Sequence, residues 1–244
     1  MKLERPHLLR PESGDNPRPP VSRVRRHDTH RLIPSKYSIG GSSVLARIAD
    51  ENSHLADIFD LDNATNDRLL AENQLLPGIG AHELVFGLPF SSIVNAAFTH
   101  ANPLGNRFNG PDRGAWYAAF EIRTAQAEVA FHKTVQLAEV GRFNDEVTYD
   151  DYQADFNGEF HDLRDAPLFA SCLALDSYME SQLLAEHLVI EESLGVVYPS
   201  VRRPQGTCIA CFRPALVTNV RKGSTFRFCW NGPSVPSIHK IVET

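Results

Sequence analysis

The sequence predicts an α+β fold, a single compact domain in which helices interrupt runs of strand without a strict strand–helix alternation. Three observations carry this. The segments SSVLARIADE, ATNDRLLAENQLL and DSYMESQLLAEHLVIEESLG repeat apolar residues at helical spacing. WYAAFEI, VVYPSVR, GTCIACFRPALVTNV and TFRFCWNG are rich in β-branched and aromatic residues and are separated by turn residues. The two kinds of segment do not take turns along the chain, which argues against a doubly wound parallel sheet. At 244 residues the chain is long enough to bury one sizeable core.

Residues 1–28 contain RPHLLRP, NPRPP and VSRVRR, with no apolar periodicity; they read as a flexible, basic, Pro/Arg-rich arm ahead of a domain over 29–244. Order is expected to begin at His30, where HRLIPSKYS reads as a short strand broken at Pro34. Two helices follow, in SSVLARIADE and ATNDRLLAENQLL. HELVFGLPFSSIVNAAFTH mixes strand-like and helix-like signals and receives no assignment. WYAAFEI is a strand, and Thr124 is the expected N-cap of a helix from Ala125 to about Ala138. Residues 141–165 read as irregular structure with one acidic face. In the next helix Leu183, Leu184 and Leu188 form the expected buried stripe, with Gly195 as the stop signal. The remaining apolar runs are strands.

The chain carries 24 Lys/Arg and 30 Asp/Glu, a formal net charge of −6, which argues against nucleic-acid binding by overall charge. Residues 1–30 hold seven Lys/Arg and four Asp/Glu, so the arm is positive and the body negative. There is no apolar run of secretory-signal length and none approaching the roughly 20 residues of a membrane helix. Four sparse cysteines, Cys172, Cys208, Cys211 and Cys229, point to free thiols in a reducing cytoplasm. Cys208 and Cys211 form a C-x-x-C, but on a strand residues three apart face opposite sides, so no metal site is expected there. No dinucleotide fingerprint, Walker loop or serine-hydrolase elbow is present.

The stretch NRFNGPDRGAWYAAFEIRTAQAEVAFH raises the chemical question. Arg107 lies in a turn where packing has no need of a cation, and arginine forks match phosphate oxygens. Arg31, at the start of a strand, has the same capacity. Tyr117 has a ring able to stack on a flat heterocycle, or simply to join the core. Glu128 is expected in the first turn of its helix, where the aligned dipoles favour an ionised carboxylate able to stabilise an oxocarbenium-like centre, or where it serves helix stability alone. His132 follows it by four residues on the same helix face, either a weak pair of metal ligands or a surface pair. Ser200, after Pro199, points a short hydroxyl either into a cleft or into its own turn.

Taken in order, these segments resemble the RES-domain family, named for an arginine, a glutamate and a serine. HRLIPSKYS resembles its opening strand, with Arg31 at the family arginine; ATNDRLLAE resembles its "TN-x-RL" helix. NAAFTHANPLGNRFNG and GAWYAAFEIRTAQAEVAFH resemble the arginine turn and the strand and helix that bring tyrosine and glutamate. SQLLAEHL, YPSVRRPQGTCIACFRP and FCWNG resemble the later motifs. The likeness runs over roughly residues 30–233. It departs at the turn, NRFNGPDRG in place of "SRF-S-x-G" or "GRW-N-P-P", and at Gln205, where the family has glycine.

The resemblance implies a core like that of diphtheria-toxin-type ADP-ribosyltransferases around an NAD cleft, in the toxin of a bacterial toxin–antitoxin pair. It implies NAD as substrate, no prosthetic group, no metal, and inorganic phosphate as a candidate co-substrate. Phosphorolysis would give nicotinamide and ADP-ribose 1″-phosphate; hydrolysis is the other route of NAD degradation. The alternatives it leaves open are a protein mono-ADP-ribosyltransferase and a non-catalytic module acting with its antitoxin. The implied partner is an Xre-like helix-turn-helix antitoxin that blocks the cleft, with DNA met only through it, a homodimer within the complex, and no membrane. Carried onto this sequence, Arg31, Glu128 and Ser200 are catalytic. Arg31 and Arg107 grip the pyrophosphate, Tyr117 packs on the nicotinamide end, Ser181 joins Ser200 on the nicotinamide side, and Phe108 and Asn109 shape the turn.

Overall fold

The structure is a computed structural model and describes residues 17–38, 78–233 and 235–242. The two helices expected in SSVLARIADE and ATNDRLLAENQLL lie outside the described residues. Seven strands form one mixed sheet: β1 (Val21–Pro34), β2 (Trp116–Ala119), β3 (Asn144–Asp162), β4 (Gly195–Pro199), β5 (Thr207–Cys211), β6 (Thr218–Asn231) and β7 (Ser237–Ile241). Among the described residues three α-helices pack on it: α1 (Ser91–Thr99), α2 (Ile122–Glu139) and α3 (Met179–Ile190). The strand order is β1-β2-β5-β4-β3-β6-β7, and β1 also pairs with β3, so five of the strands close on themselves.

The longest strand is the one that the sequence reading missed. β3 spans 19 residues where irregular structure was expected. Its alternation is real: Tyr152, Ala154, Phe156 and Phe160 enter one core cluster, while Tyr149 enters the other. Acidic residues interrupt that pattern in the sequence, and neighbouring strands supply the cations that make them tolerable. Lys222 of β6 sits 3.1 Å from Asp150, and Arg221 sits 3.0 Å from Asp155. Each such cross-strand pair contributes only about 0.2–1 kcal/mol, but the alternative is a buried carboxylate with no partner.

β1 begins at Val21, not at His30, so residues 21–28, expected in a flexible arm, belong to the sheet. The register runs Val21↔His161 to Pro34↔Tyr149, with an irregularity between Arg26 and Thr29. There Asp28 adopts φ 56, a left-handed conformation that Asp tolerates, and its N–H donates to the Asp155 carboxylate at 3.0 Å. Basic, proline-flanked residues hid this strand because its partner β3 was itself unread.

α2 starts at Ile122 with Glu121 as N-cap, so Thr124 is not the cap but a fully buried residue of the first turn, its hydroxyl donating to Glu121 at 2.8 Å. The buried face of α3 is Ser181, Ala185 and Leu188, whereas Leu183 is exposed. α3 ends at Ile190, with Glu192 in the left-handed region, and Gly195 opens β4 instead of closing the helix. Gly195 has φ +142, and a Cβ there would lie 2.2 Å from the Ala210 carbonyl oxygen of β5, so close strand pairing demands glycine. The unassigned stretch after residue 81 resolves into a short 3-10 helix, Ala81–Glu83, and α1. VTNV and TFRFCWNG are two ends of one strand, β6.

The two faces of the sheet carry separate cores. Val196, Tyr198, Cys208 and Ala210 pack with α2 and α3, while Val197, Ile209 and Cys211 pack with α1. The two thiols of the C-x-x-C therefore diverge, as the strand period requires. No helix among the described residues is long and apolar enough to cross a membrane.

Candidate active site

β1 and β2 register at a single pair, His30 opposite Ala119. A cleft of about 350 Å³ opens beside that point. Arg31 from β1, Arg107 from the preceding turn, Tyr117 from β2 and Glu128 from α2 all line it. Arg107, Tyr117 and Glu128 come from one stretch of chain, and the closure of the sheet brings the distant Arg31 of β1 to them.

Glu128 lies in the second turn of α2, because the helix starts earlier than expected, so the helix dipole is not what holds it. Its environment is specific instead. Ser200 Oγ donates to Glu128 Oε1 at 2.6 Å, the length of a charge-assisted bond. Ser200 Oγ in turn accepts the backbone N–H groups of Arg202 (3.2 Å) and Arg203 (3.0 Å). Those two donors fix the hydroxyl rotor, so its hydrogen points at the carboxylate. Cys208 Sγ is 3.9 Å from the same oxygen. Burial and the Glu128 charge push the Cys208 thiol well above its usual pKa, which keeps it a protonated neighbour and not a nucleophile. His132 Nε2 lies 4.0 Å from Glu128 Oε2. Burial lowers the His132 pKa; Glu128 opposes that, and Arg202 and Arg107 add to it.

The cations are the second feature. The Arg31 guanidinium sits 4.9 Å over the Trp116 ring and donates from Nη1 to the Tyr117 carbonyl at 3.2 Å. Its Nε has no partner among the described residues. Burial draws its pKa down to about 10, which leaves it charged at neutral pH. Arg107 is buried; Nη1 donates to the carbonyls of Cys172 (3.0 Å) and Ala174 (2.8 Å), and the guanidinium lies 4.7 Å from the Tyr178 ring centroid. Neither arginine has a carboxylate partner among the described residues. A desolvated guanidinium without an anion is costly, and an anionic ligand entering the cleft relieves that cost.

Tyr117 lines the cleft, but its hydroxyl is committed elsewhere. It accepts the Phe108 N–H at 2.9 Å and donates to Asn109 Oδ1 at 2.8 Å. Phe108 and Asn109 thus brace the turn that carries Arg107 and do not line the cleft: Phe108 is fully buried, its ring 4.7 Å from that of Tyr198. Ser181 is also outside the cleft lining, and its hydroxyl donates to the Tyr178 carbonyl at 3.0 Å. Ser200 is likewise absent from the cleft lining, and its hydroxyl is tied to the cleft through its bond to Glu128. Tyr178, Tyr198 and His30 are cleft residues that the sequence reading did not select. His30 had one signal available, its place beside Arg31; Tyr178 and Tyr198 had none distinguishing them from core tyrosines.

The RES-domain family model matches residues 84–231, more than half of the chain. The chain belongs to the RES-domain family. Of the residues that the resemblance assigns, Glu128, Ser200 and Arg107 fall inside the matched stretch, while Arg31, placed at the family arginine, precedes it. No curated protein matches the chain. Among solved structures, this RES chain is similar to a chain in the crystal structure of the M. tuberculosis MbcT–MbcA toxin–antitoxin complex, at 14% identity and a TM-score of 0.40, over 57% of this chain and 75% of that one.

Proposed function

We propose that this RES domain consumes NAD, breaking the bond between nicotinamide and ribose, and serves as the toxin of a toxin–antitoxin pair. The observation that carries the reading is one oriented carboxylate, Glu128 fixed by Ser200 at 2.6 Å, in the same cleft as two guanidiniums without carboxylate partners among the described residues. NAD has the matching charges: a pyrophosphate for Arg31 and Arg107, and a ribose carbon that becomes cationic as the bond breaks. Glu128 stabilises that charge where it develops. Nicotinamide departs from an already cationic ring, so it takes the bonding electrons and needs no proton from a general acid. Tyr117 contributes by holding the Arg107 turn and offering its ring to the cleft.

The RES unit on this reading starts at β1, ahead of the matched residues, because Arg31 lines the cleft and β1 closes the sheet. A sheet surrounding an NAD cleft with a glutamate on the following helix fits the diphtheria-toxin-type ADP-ribosyltransferase plan. The acceptor is phosphate or water, and the family membership supports an Xre-like antitoxin that covers the cleft. Nicotinamide release by the purified chain, with and without inorganic phosphate, tests the reading, with Glu128→Gln as control. Release that Glu128→Gln abolishes supports it; equal release by both proteins, or none from either, overturns it. Phosphate dependence with an ADP-ribose phosphate product assigns phosphorolysis, and independence of phosphate assigns hydrolysis.

A further inference from the structure

The cleft contains one polar assembly that NAD cleavage as described does not use. The β1–β3 register sets His30 opposite Gln153 and Leu32 opposite Asp151, so His30, Asp151 and Gln153 share a face. His30 Nδ1 lies 2.9 Å from Asp151 Oδ2, and Gln153 Nε2 donates to the same oxygen at 3.2 Å. Asp151 is only 2% exposed. The β6 backbone closes over it: a Cβ on Gly223 would lie 3.0 Å from Asp151 Oδ2. An ionised carboxylate only accepts hydrogen bonds, so Nδ1 of His30 carries the proton and Nε2 carries the lone pair. His30 lines the cleft, and Nε2 has no partner among the described residues. Arg31 of the same strand, Tyr117 of β2, Arg107 of the turn, Glu128 and His132 of α2, His100 after α1, Tyr178 before α3, Tyr198 of β4 and Cys208 of β5 are the charged or titratable groups that share the cleft with it.

We infer that His30, fixed in one tautomer by Asp151, is the base that activates water as the acceptor; this rests on the NAD reading above. In the step, the C1″–N bond breaks and its electron pair leaves with nicotinamide. A lone pair of the water oxygen forms the new C1″–O bond, and the water proton passes to His30 Nε2. The imidazolium so formed is stabilised by the Asp151 carboxylate. The products are ADP-ribose and nicotinamide, with one proton released when His30 returns to its neutral form. Hydrogen phosphate already presents an anionic oxygen and needs no base, so the two acceptors depend on His30 to different degrees.

The test uses the full chain and its His30→Asn, His30→Gln and Asp151→Asn variants, with thermal melting of each as a check on folding. Nicotinamide release is measured with NAD alone and with NAD plus inorganic phosphate. His30→Asn is expected to lower the phosphate-free rate by about 10²–10³-fold and the phosphate-dependent rate by less than about tenfold, with Asp151→Asn shifting the ratio the same way. The ¹⁵N shifts of His30 in the wild type should report the Nδ1–H tautomer, a reading that no variant's folding affects. Equal losses in both reactions, no loss in either, a wild type that acts only with phosphate, or an Nε2–H tautomer each overturn the proposal. A wild type that releases no nicotinamide under either condition takes the NAD reading down with it; an active wild type matched by His30→Asn removes this inference alone.

Discussion

Ser200→Ala separates the two tasks that the structure gives this hydroxyl. Ser200 donates to Glu128 at 2.6 Å and accepts two backbone N–H groups at 3.0 and 3.2 Å. A hydrogen bond to a charged group is worth about 1.5–3 kcal/mol. If that bond is retained while the ribose carbon becomes cationic, its loss costs roughly 10- to 100-fold in kcat. KM for NAD should move by less than about threefold, because Ser200 acts through Glu128 and not on the substrate. The two N–H groups lose their acceptor at a half-solvated turn, which costs about 1–2 kcal/mol and lowers Tm by roughly 2–8 °C for a chain of this size. The assay pairs steady-state nicotinamide release with a thermal melt. A variant with a lowered Tm but unchanged kcat would refute the positioning role and leave Ser200 as a turn residue only.

Arg107→Ala should raise KM for NAD by about 10- to 100-fold with a smaller change in kcat, and Arg107→Lys should not rescue it, because one ammonium cannot keep the Cys172 and Ala174 carbonyls and meet a phosphate as well. Gln205 sits at φ 63, where the family carries glycine, so Gln205→Gly should stabilise the fold by about 1 kcal/mol, read as a rise of roughly 2–4 °C in Tm with activity retained. Glu83 is bonded by both Arg113 Nη atoms at 2.9 and 2.7 Å and by Arg213 at 3.1 Å. The Arg113 hydrogen bonds, opposed by burial, hold its carboxyl at about 2 against an ordinary 4.5. The folded state therefore binds fewer protons than the unfolded one in that window; the contribution is complete above pH 4.5 and is lost as pH falls towards 2. After screening it amounts to about 1–2 kcal/mol. Glu83→Gln should flatten the denaturation profile over that range, and an unchanged acid limb would exclude the triad as its source.

Local chemistry was legible in the sequence wherever a single segment carries its own signal. The strands β4 and β5 and the helices α2 and α3 lie within the segments that the sequence assigned to them, although the start of α2, the end of α3 and its buried face differ, and the divergence of Cys208 and Cys211 follows from the strand period alone. Arg31, Arg107, Tyr117 and Glu128, chosen from the sequence, meet in one cleft. What depends on a distant partner was not legible. β1 and β3 support each other: the basic residues of one and the acidic residues of the other look like an arm and an irregular loop until they are paired. Burial of Asp150 and Asp151 becomes acceptable only once β1 and β6 supply Lys222, Thr225 and His30. Phe108, Asn109 and Ser181, also chosen from the sequence, stand outside the cleft lining, and they serve the turn and the helix instead, because neighbours in a turn point in different directions. The residue types and their order along the chain thus came from the sequence. Which hydroxyl points at Glu128, which carbonyls hold Arg107 and which histidine is held by a buried aspartate were decided by long-range pairing, since each is a contact between segments dozens of residues apart.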